Sequence, residues 1–165
     1  MKKIFAFITL LFLLCSCSGG EVSSIERIAE ARVRFSSSLG AVRIYRSDAI
    51  EGEDGYIDGG LVGVMLGDGE CPSEMSGVER YSFLCSTGIS LCEVWMLECR
   101  TYSSARDVYE LFEKRKKLLT SPEYEDERDK AAADGTTLVR EGKYIYFAVC
   151  ENAAEIVRFL SDKSV

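Results

Sequence analysis

Over its 165 residues the chain carries 20 Lys and Arg against 27 Asp and Glu, a formal net charge of −7, and no histidine. That length suits one domain-sized core, and the acidic surplus repels nucleic acid and bare anionic lipid. The missing imidazole removes Ser-His-Asp and Cys-His triads, histidine general bases and His-containing zinc sites.

The chain starts with Lys2 and Lys3, followed by an apolar run over residues 4–14, broken only by Thr9, and then Cys15-Ser16-Cys17. A positive start, a short greasy core and small residues after it are the layout of a secretory signal peptide. The run is short for a transmembrane helix, and no other apolar run approaches the roughly 18 residues a span needs. Leu14-Cys15-Ser16-Cys17 resembles the bacterial lipobox, in which a leucine stands three positions before the cysteine that is lipidated. Small Ser16 before Cys17, against bulky Leu14 before Cys15, selects Cys17. The resemblance implies a diacylglyceryl group on the Cys17 thiol, cleavage just before it, and a lipid anchor on the outer side of the cell membrane or on the outer membrane. Each buried methylene contributes about 0.8 kcal/mol, so two or three acyl chains hold where one does not. An ordinary cleaved signal peptide, giving a free secreted protein, is the alternative. Loss of the leader would remove Lys2 and Lys3 and leave 18 basic against 27 acidic groups, a net of −9.

Ser18-Gly19-Gly20 reads as a flexible tether. Ser24 is expected to cap a helix over 25–35, with Ile25, Ile28, Ala29 and Val33 near helical spacing, ended by three serines and Gly40. Residues 42–45 alternate as a short strand or extended segment. Residues 51–55 form an acidic turn which, with Asp58, Asp68 and Glu70, raises a calcium site. EF-hand spacing fails, because Ile50 stands where a carboxylate or amide is needed. Residues 60–67 read as a short buried strand or, preferred on the repeat of Leu61 with Met65 and Val62 with Leu66, a helix. A phosphate loop lacks its Lys-Ser/Thr ending there.

The stronger signals come later. Residues 81–86 and 91–101 read as two strands around a turn at 87–90, the second with Trp95, Leu97 and Cys99 on one face and Val94 and Met96 on the other. Glu93 and Glu98 fall on opposite faces. A helix is expected to start near Ser104, with Asp107 three residues on. Its apolar stripe takes in Ala105, Val108, Leu111, Phe112, Leu118 and Leu119, and Pro122 stops it. Residues 123–129 form an acidic loop or frayed helix. Strands over 135–140 and 143–150 flank a Glu141-Gly142 turn, and a closing helix spans 153–160 with Ile156, Val157 and Leu160 turned to the sheet.

Five cysteines follow Cys17: Cys71, Cys85, Cys92, Cys99 and Cys150. Their spacing is not that of paired zinc knuckles. They read either as buried hydrophobes or, more sharply, as containing a Cys85–Cys92 disulfide across the hairpin.

Glu93-Val94-Trp95-Met96-Leu97, Ala105-Arg106-Asp107-Val108 ahead of a helix with Arg115, and Gly142-Lys143-Tyr144-Ile145-Tyr146-Phe147-Ala148-Val149 resemble a family of small uncharacterised bacterial lipoproteins, known as a domain of unknown function. The resemblance spans roughly residues 55–162. It implies an antiparallel sheet with helices on one face, outside the cell, and carries no catalytic residue.

The expected fold is α+β: an antiparallel sheet of about four strands in two hairpins with helices on one face, ordered β-β-α-β-β-α behind an N-terminal helix. Residues 1–16 are the expected signal peptide, 17–24 anchor and tether, 25–54 a helix and extended segment, and 55–165 the α+β domain. The expected function is a non-catalytic envelope lipoprotein, joined to the membrane through Cys17, binding an envelope protein partner or serving structurally, with no cofactor and no nucleic acid. The alternatives are a small-ligand carrier or an enzyme using a thiol (Cys99 or Cys150) or a carboxylate pair.

Overall fold

The computed structural model describes residues 24–67 and 69–162. The leader, Cys17, the tether up to residue 23 and Asp68 lie outside the described residues. Two helices come first, α1 (Ser24–Arg34) and α2 (Ser36–Leu39), then strand β1 (Val42–Arg46) and helix α3 (Gly59–Leu66). A 3-10 turn over Ser73–Gly77 leads into β2 (Val78–Ser86) and β3 (Glu93–Cys99). Helices α4 (Tyr102–Thr120) and α5 (Glu127–Asp134) precede β4 (Thr137–Glu141), β5 (Tyr144–Val149) and α6 (Ala153–Ser161).

The α+β class and the two hairpins are as expected, and two finer features differ. The sheet has five antiparallel strands, in the order β1-β2-β3-β5-β4. The alternating segment near Val42 is a true edge strand, pairing from Val42 opposite Ser86 to Arg46 opposite Ser82. A strand from the 25–54 segment therefore belongs to the same sheet as the later strands. Helices also cover both faces of the sheet instead of one. Side chains alternate along a strand, and both sets on β3 are apolar, so all seven of its residues are buried. On one face Phe83, Trp95, Leu97, Ile145 and Phe147 pack under Val108, Leu111 and Phe112 of α4. On the other, Leu84, Val94, Met96 and Ala148 pack under Ile28 and Ala31 of α1 and Ile156, Val157 and Leu160 of α6. A strand greasy on both sides needs cover on both sides.

Local chemistry sets several boundaries. Ser24 is the first residue of α1 rather than its cap; its carbonyl accepts from Ser82 Oγ at 2.8 Å, and its own Oγ is buried without a partner. The serines expected to end that helix form α2, closed by Gly40 at φ 65°. Asp58 caps α3 by accepting from the Leu61 N–H at 2.8 Å, so this carboxylate of the supposed calcium loop is engaged with the backbone. No cluster of three or more metal-ligating side chains occurs among the described residues. The cap of α4 is Thr101, whose Oγ1 accepts from the Ser104 N–H at 3.0 Å, which sets the start of the helix two residues before Ser104. Leu118 points outward, 55% exposed, while Leu119 beside it still packs against the core. The second hairpin turns at Gly142-Lys143, one residue later than expected. Glu141 still pairs with Tyr144, and Gly142 supplies the positive φ (62°) that a two-residue hairpin turn requires.

Candidate functional site

The chemically distinctive groups gather at one end of the sheet, where β2 ends, β3 begins and β5 ends. Glu93 opens β3 on the same face as Trp95 and Leu97, so the alternation that buries those two also carries its carboxylate inward; it is 4% exposed. An isolated buried carboxylate is costly unless its oxygens find donors. Both do. Trp95 Nε1 donates to Glu93 Oε1 at 2.5 Å, and Arg115 Nη2 donates to Oε2 at 2.7 Å. Arg115 reaches the site because it follows Ala105, Val108 and Phe112 along the buried stripe of α4. Its Nε is buried without a partner. The arrangement closes a charge pair over an aromatic stack: Trp95 lies 3.8 Å from Phe83 at 14°, and Phe112 meets Trp95 edge-on at 5.5 Å.

Three cysteines neighbour Glu93 along and across the strands. Cys85 stands directly across from Glu93 on β2. Cys92 precedes Glu93, and Cys150 follows Val149, which is the β5 partner of Glu93. Cys92 and Cys150 belong to the core beneath α1 and α6, whereas Cys85 packs on the core beneath α4. All five described cysteines are free thiols here, and the register sets Cys85 and Cys92, the pair expected to bridge, on opposite faces of the sheet. Cys92 is opposite Ser86, whose N–H donates to the Cys92 carbonyl at 2.9 Å, and Cys85 sits one step along, on the other face.

Burial pushes the Cys92 thiol up to about 11 and the Cys150 thiol up to about 12, helped in turn by Cys85 and by Cys92. Burial also raises Cys85, with Glu93 adding to the rise and Arg115 opposing it. Cys99, at the far end of β3, is pushed up to about 11 by burial and then by Glu98, against Lys143. A thiol held protonated is a poor nucleophile at neutral pH, so neither Cys99 nor Cys150 is activated by its surroundings.

Beside this end lies a cleft of about 320 Å³, between the loop after α2, the β2–β3 turn and α5; Cys92, Cys150, Arg128 and Asp129 are among its lining residues. Asp129 Oδ1 accepts from the Leu91 N–H at 2.7 Å and pins α5 to the lead-in of β3. Asn152 Nδ2 donates to Ser38 Oγ at 2.7 Å and pins the start of α6 to α2. A second polar cluster sits near the opposite end of β3, where Arg80 donates to Glu98 Oε2 from Nη2 at 2.6 Å and from Nε at 3.1 Å. There Tyr144 Oη donates to Glu98 Oε1 at 3.4 Å, and the Arg80 side chain is half exposed.

No protein-family model, no curated protein and no solved structure matches the chain. The functional reading therefore stands on the residues themselves. The sequence reading set Glu93 and Glu98 on opposite faces of this strand but did not join Glu93 to Arg115. The signal was present in both elements: a carboxylate at a core position of a strand, and an arginine in phase with the buried stripe of the next helix.

Proposed function

We propose that the protein is a non-catalytic envelope lipoprotein, held by acyl chains on Cys17 at the outer face of the cell membrane or at the outer membrane, where it binds an envelope protein or serves a structural role. The observation that carries this reading is the order Lys2-Lys3, apolar run, Leu14-Cys15-Ser16-Cys17. It is supported by the way the buried chemical groups are engaged: Glu93 is held by Arg115 and Trp95, and burial keeps the thiols protonated. No helix among the described residues is long and apolar enough to cross a membrane, so attachment in this reading falls to the lipid. The surface that fits a partner is the outer edge of β4, a short strand whose residues are mostly half-buried. Among the described residues no backbone hydrogen bond reaches that edge from outside the hairpin, which is the arrangement strand addition uses.

Detergent-phase partitioning of the full chain tests the anchor. Wild type enters the detergent phase and Cys17→Ala moves to the aqueous phase. A wild type already in the aqueous phase overturns the reading. The cleft beside Cys92 favours a second reading, a small-ligand carrier at the same location. A ligand bound there raises Tm in proportion to its occupancy, and a small-molecule thermal-shift screen without any riser removes it.

A further inference from the structure

We propose that Cys92 and Cys150 are the two halves of a disulfide, formed across β3 and β5 when the chain folds in an oxidising exterior. The compartment rests on the export reading above; the pairing rests on geometry alone. Glu93 faces Val149 across β3 and β5, so one further step along the same antiparallel register sets Cys92 opposite Cys150. The backbone bonds say which kind of pair this is. The Cys99 N–H donates to the Lys143 carbonyl directly opposite, so odd-numbered residues of β3 bond towards β5. The Cys92 carbonyl instead accepts from Ser86, on the β2 side. Cys92 and Cys150 are therefore a non-hydrogen-bonded pair, in which Cα atoms of antiparallel strands approach to about 4.5 Å. That lies within the roughly 4.4–6.8 Å a disulfide spans. Both side chains fall on the same face, in the same buried cluster, and both line the same cleft. Neither Cys85, on the opposite face, nor Cys99, at the other end of β3, meets these conditions.

The step is a thiol–disulfide exchange with a disulfide-bearing oxidant. One cysteine, as thiolate, attacks the oxidant's disulfide and releases one of its sulfurs as a thiol. The second cysteine then attacks the mixed disulfide, forms the Cys92–Cys150 bond and releases the other sulfur. Two protons and two electrons leave the cysteine pair, and the oxidant becomes a dithiol. Burial works against the thiolate in the folded state, where both thiols lie far above neutral pH. Closure accordingly belongs to folding, before α5 and α2 settle around the cleft, and is slow in the folded, reduced protein.

The full chain, reduced and unfolded in denaturant with detergent, is refolded in reduced and oxidised glutathione, then alkylated and digested with trypsin without reductant. The expected product joins the peptide 81–100, alkylated at Cys85 and Cys99, through Cys92 to the peptide 144–158, which holds Cys150, and is two hydrogen atoms lighter than those two peptides with Cys92 and Cys150 as free thiols. The link persists in Cys85→Ser and in Cys99→Ser and disappears in Cys92→Ser. Oxidised glutathione added to the native, reduced protein produces the same link at least tenfold more slowly. Fully alkylated thiols after refolding, a link retained in Cys92→Ser, or a peptide 81–100 closed on itself through Cys85 each overturn the proposal. Fragmentation of the linked wild-type product in the mass spectrometer places the bond within peptide 81–100 independently, so a variant that fails to fold does not spoil the test. Detergent partitioning in Cys92→Ser stays as in wild type, so failure of the bridge and failure of the anchor are read separately.

Discussion

The two faces of the sheet are built from different materials. Beneath α4 the core is aromatic and directional: Tyr45, Phe83, Trp95, Phe112 and Phe147 succeed one another at ring separations from 3.8 to 5.5 Å, with a buried ion pair at the rim. Beneath α1 and α6 it is mostly aliphatic, with Ile28, Leu84, Val94, Ile156 and Leu160, an edge-on contact of Phe35 with Phe159, and the two facing thiols. Stacked rings and a salt bridge demand particular geometry, whereas branched aliphatic side chains demand mainly volume. The aromatic face should therefore be the less forgiving of the two, even though the same five strands carry both.

The largest expected effect removes the centre of the aromatic face. Trp95→Ala takes away the ring that Phe83 and Phe112 pack on and the donor to Glu93 Oε1. A loss of about 3–5 kcal/mol is expected from the cavity alone, with more from the carboxylate left half-satisfied. Ile156→Ala on the aliphatic face is expected to cost about 2–4 kcal/mol. Denaturant unfolding of the two variants ranks the faces, and a larger loss for Ile156→Ala would reverse the comparison.

Next comes the ion pair. Arg115→Ala strands the Glu93 carboxylate in a place that is nearly dry, and roughly 3 kcal/mol is the expected cost. Removing both charges together, Glu93→Leu with Arg115→Met, is expected to recover most of that loss, because a well-packed apolar pair often matches a buried salt bridge. A double variant as unstable as the sum of its singles would mean that the two charges are not coupled and that each loss comes from that side chain's own packing.

How legible was this in the chain? The faces of β3 and β5 were readable residue by residue, because strict alternation survives burial: Trp95 with Leu97, Tyr144 with Tyr146, Ile145 with Phe147. That both faces would be covered was not, although β3 carries apolar residues on each side. The helix over 24–34 gave no sign of whether it packed on the body, since the strand it needs, β1, is only five residues long and its pattern is weak. The missed contacts are all long-range. Glu93 and Arg115 are separated by 22 positions, and Cys92 and Cys150 by more, so local spacing held no information about either pair. The Cys85–Cys92 expectation rested on closeness along a hairpin, which does not fix which face a side chain takes. A one-residue offset in register sends the two thiols to opposite sides.

The thiols offer a smaller and pH-dependent contrast. In reductant, Cys92 and Cys150 titrate on one face and Cys99 on the other, all raised by burial above the ordinary 9.0. A raised pKa means that the unfolded chain gives up its protons first. Stability from this source is whole below pH 9 and falls as pH climbs towards about 11 for Cys92 and Cys99 and about 12 for Cys150. The limiting slope is about 1.4 kcal/mol per pH unit for each thiol. Replacing Cys92 and Cys150 together by alanine should flatten the alkaline decline more than Cys99→Ala does. Equal flattening would mean that one of Cys92 and Cys150 titrates in the folded chain as it does in the unfolded one.

The smallest expected effect is the one that isolates the faces from each other. Phe112 and Ile156 both pack on the sheet, but from opposite sides. No atom of one needs to move to fill the space left by the other. Phe112→Leu and Ile156→Val should therefore add, with a coupling below about 0.5 kcal/mol. Phe112→Leu combined with Phe147→Leu should not, because those rings lie 5.2 Å apart on one face and share a cavity once both are trimmed. A large coupling across the sheet in the first cycle would show that β3 transmits strain through its backbone, and that the two cores act as one.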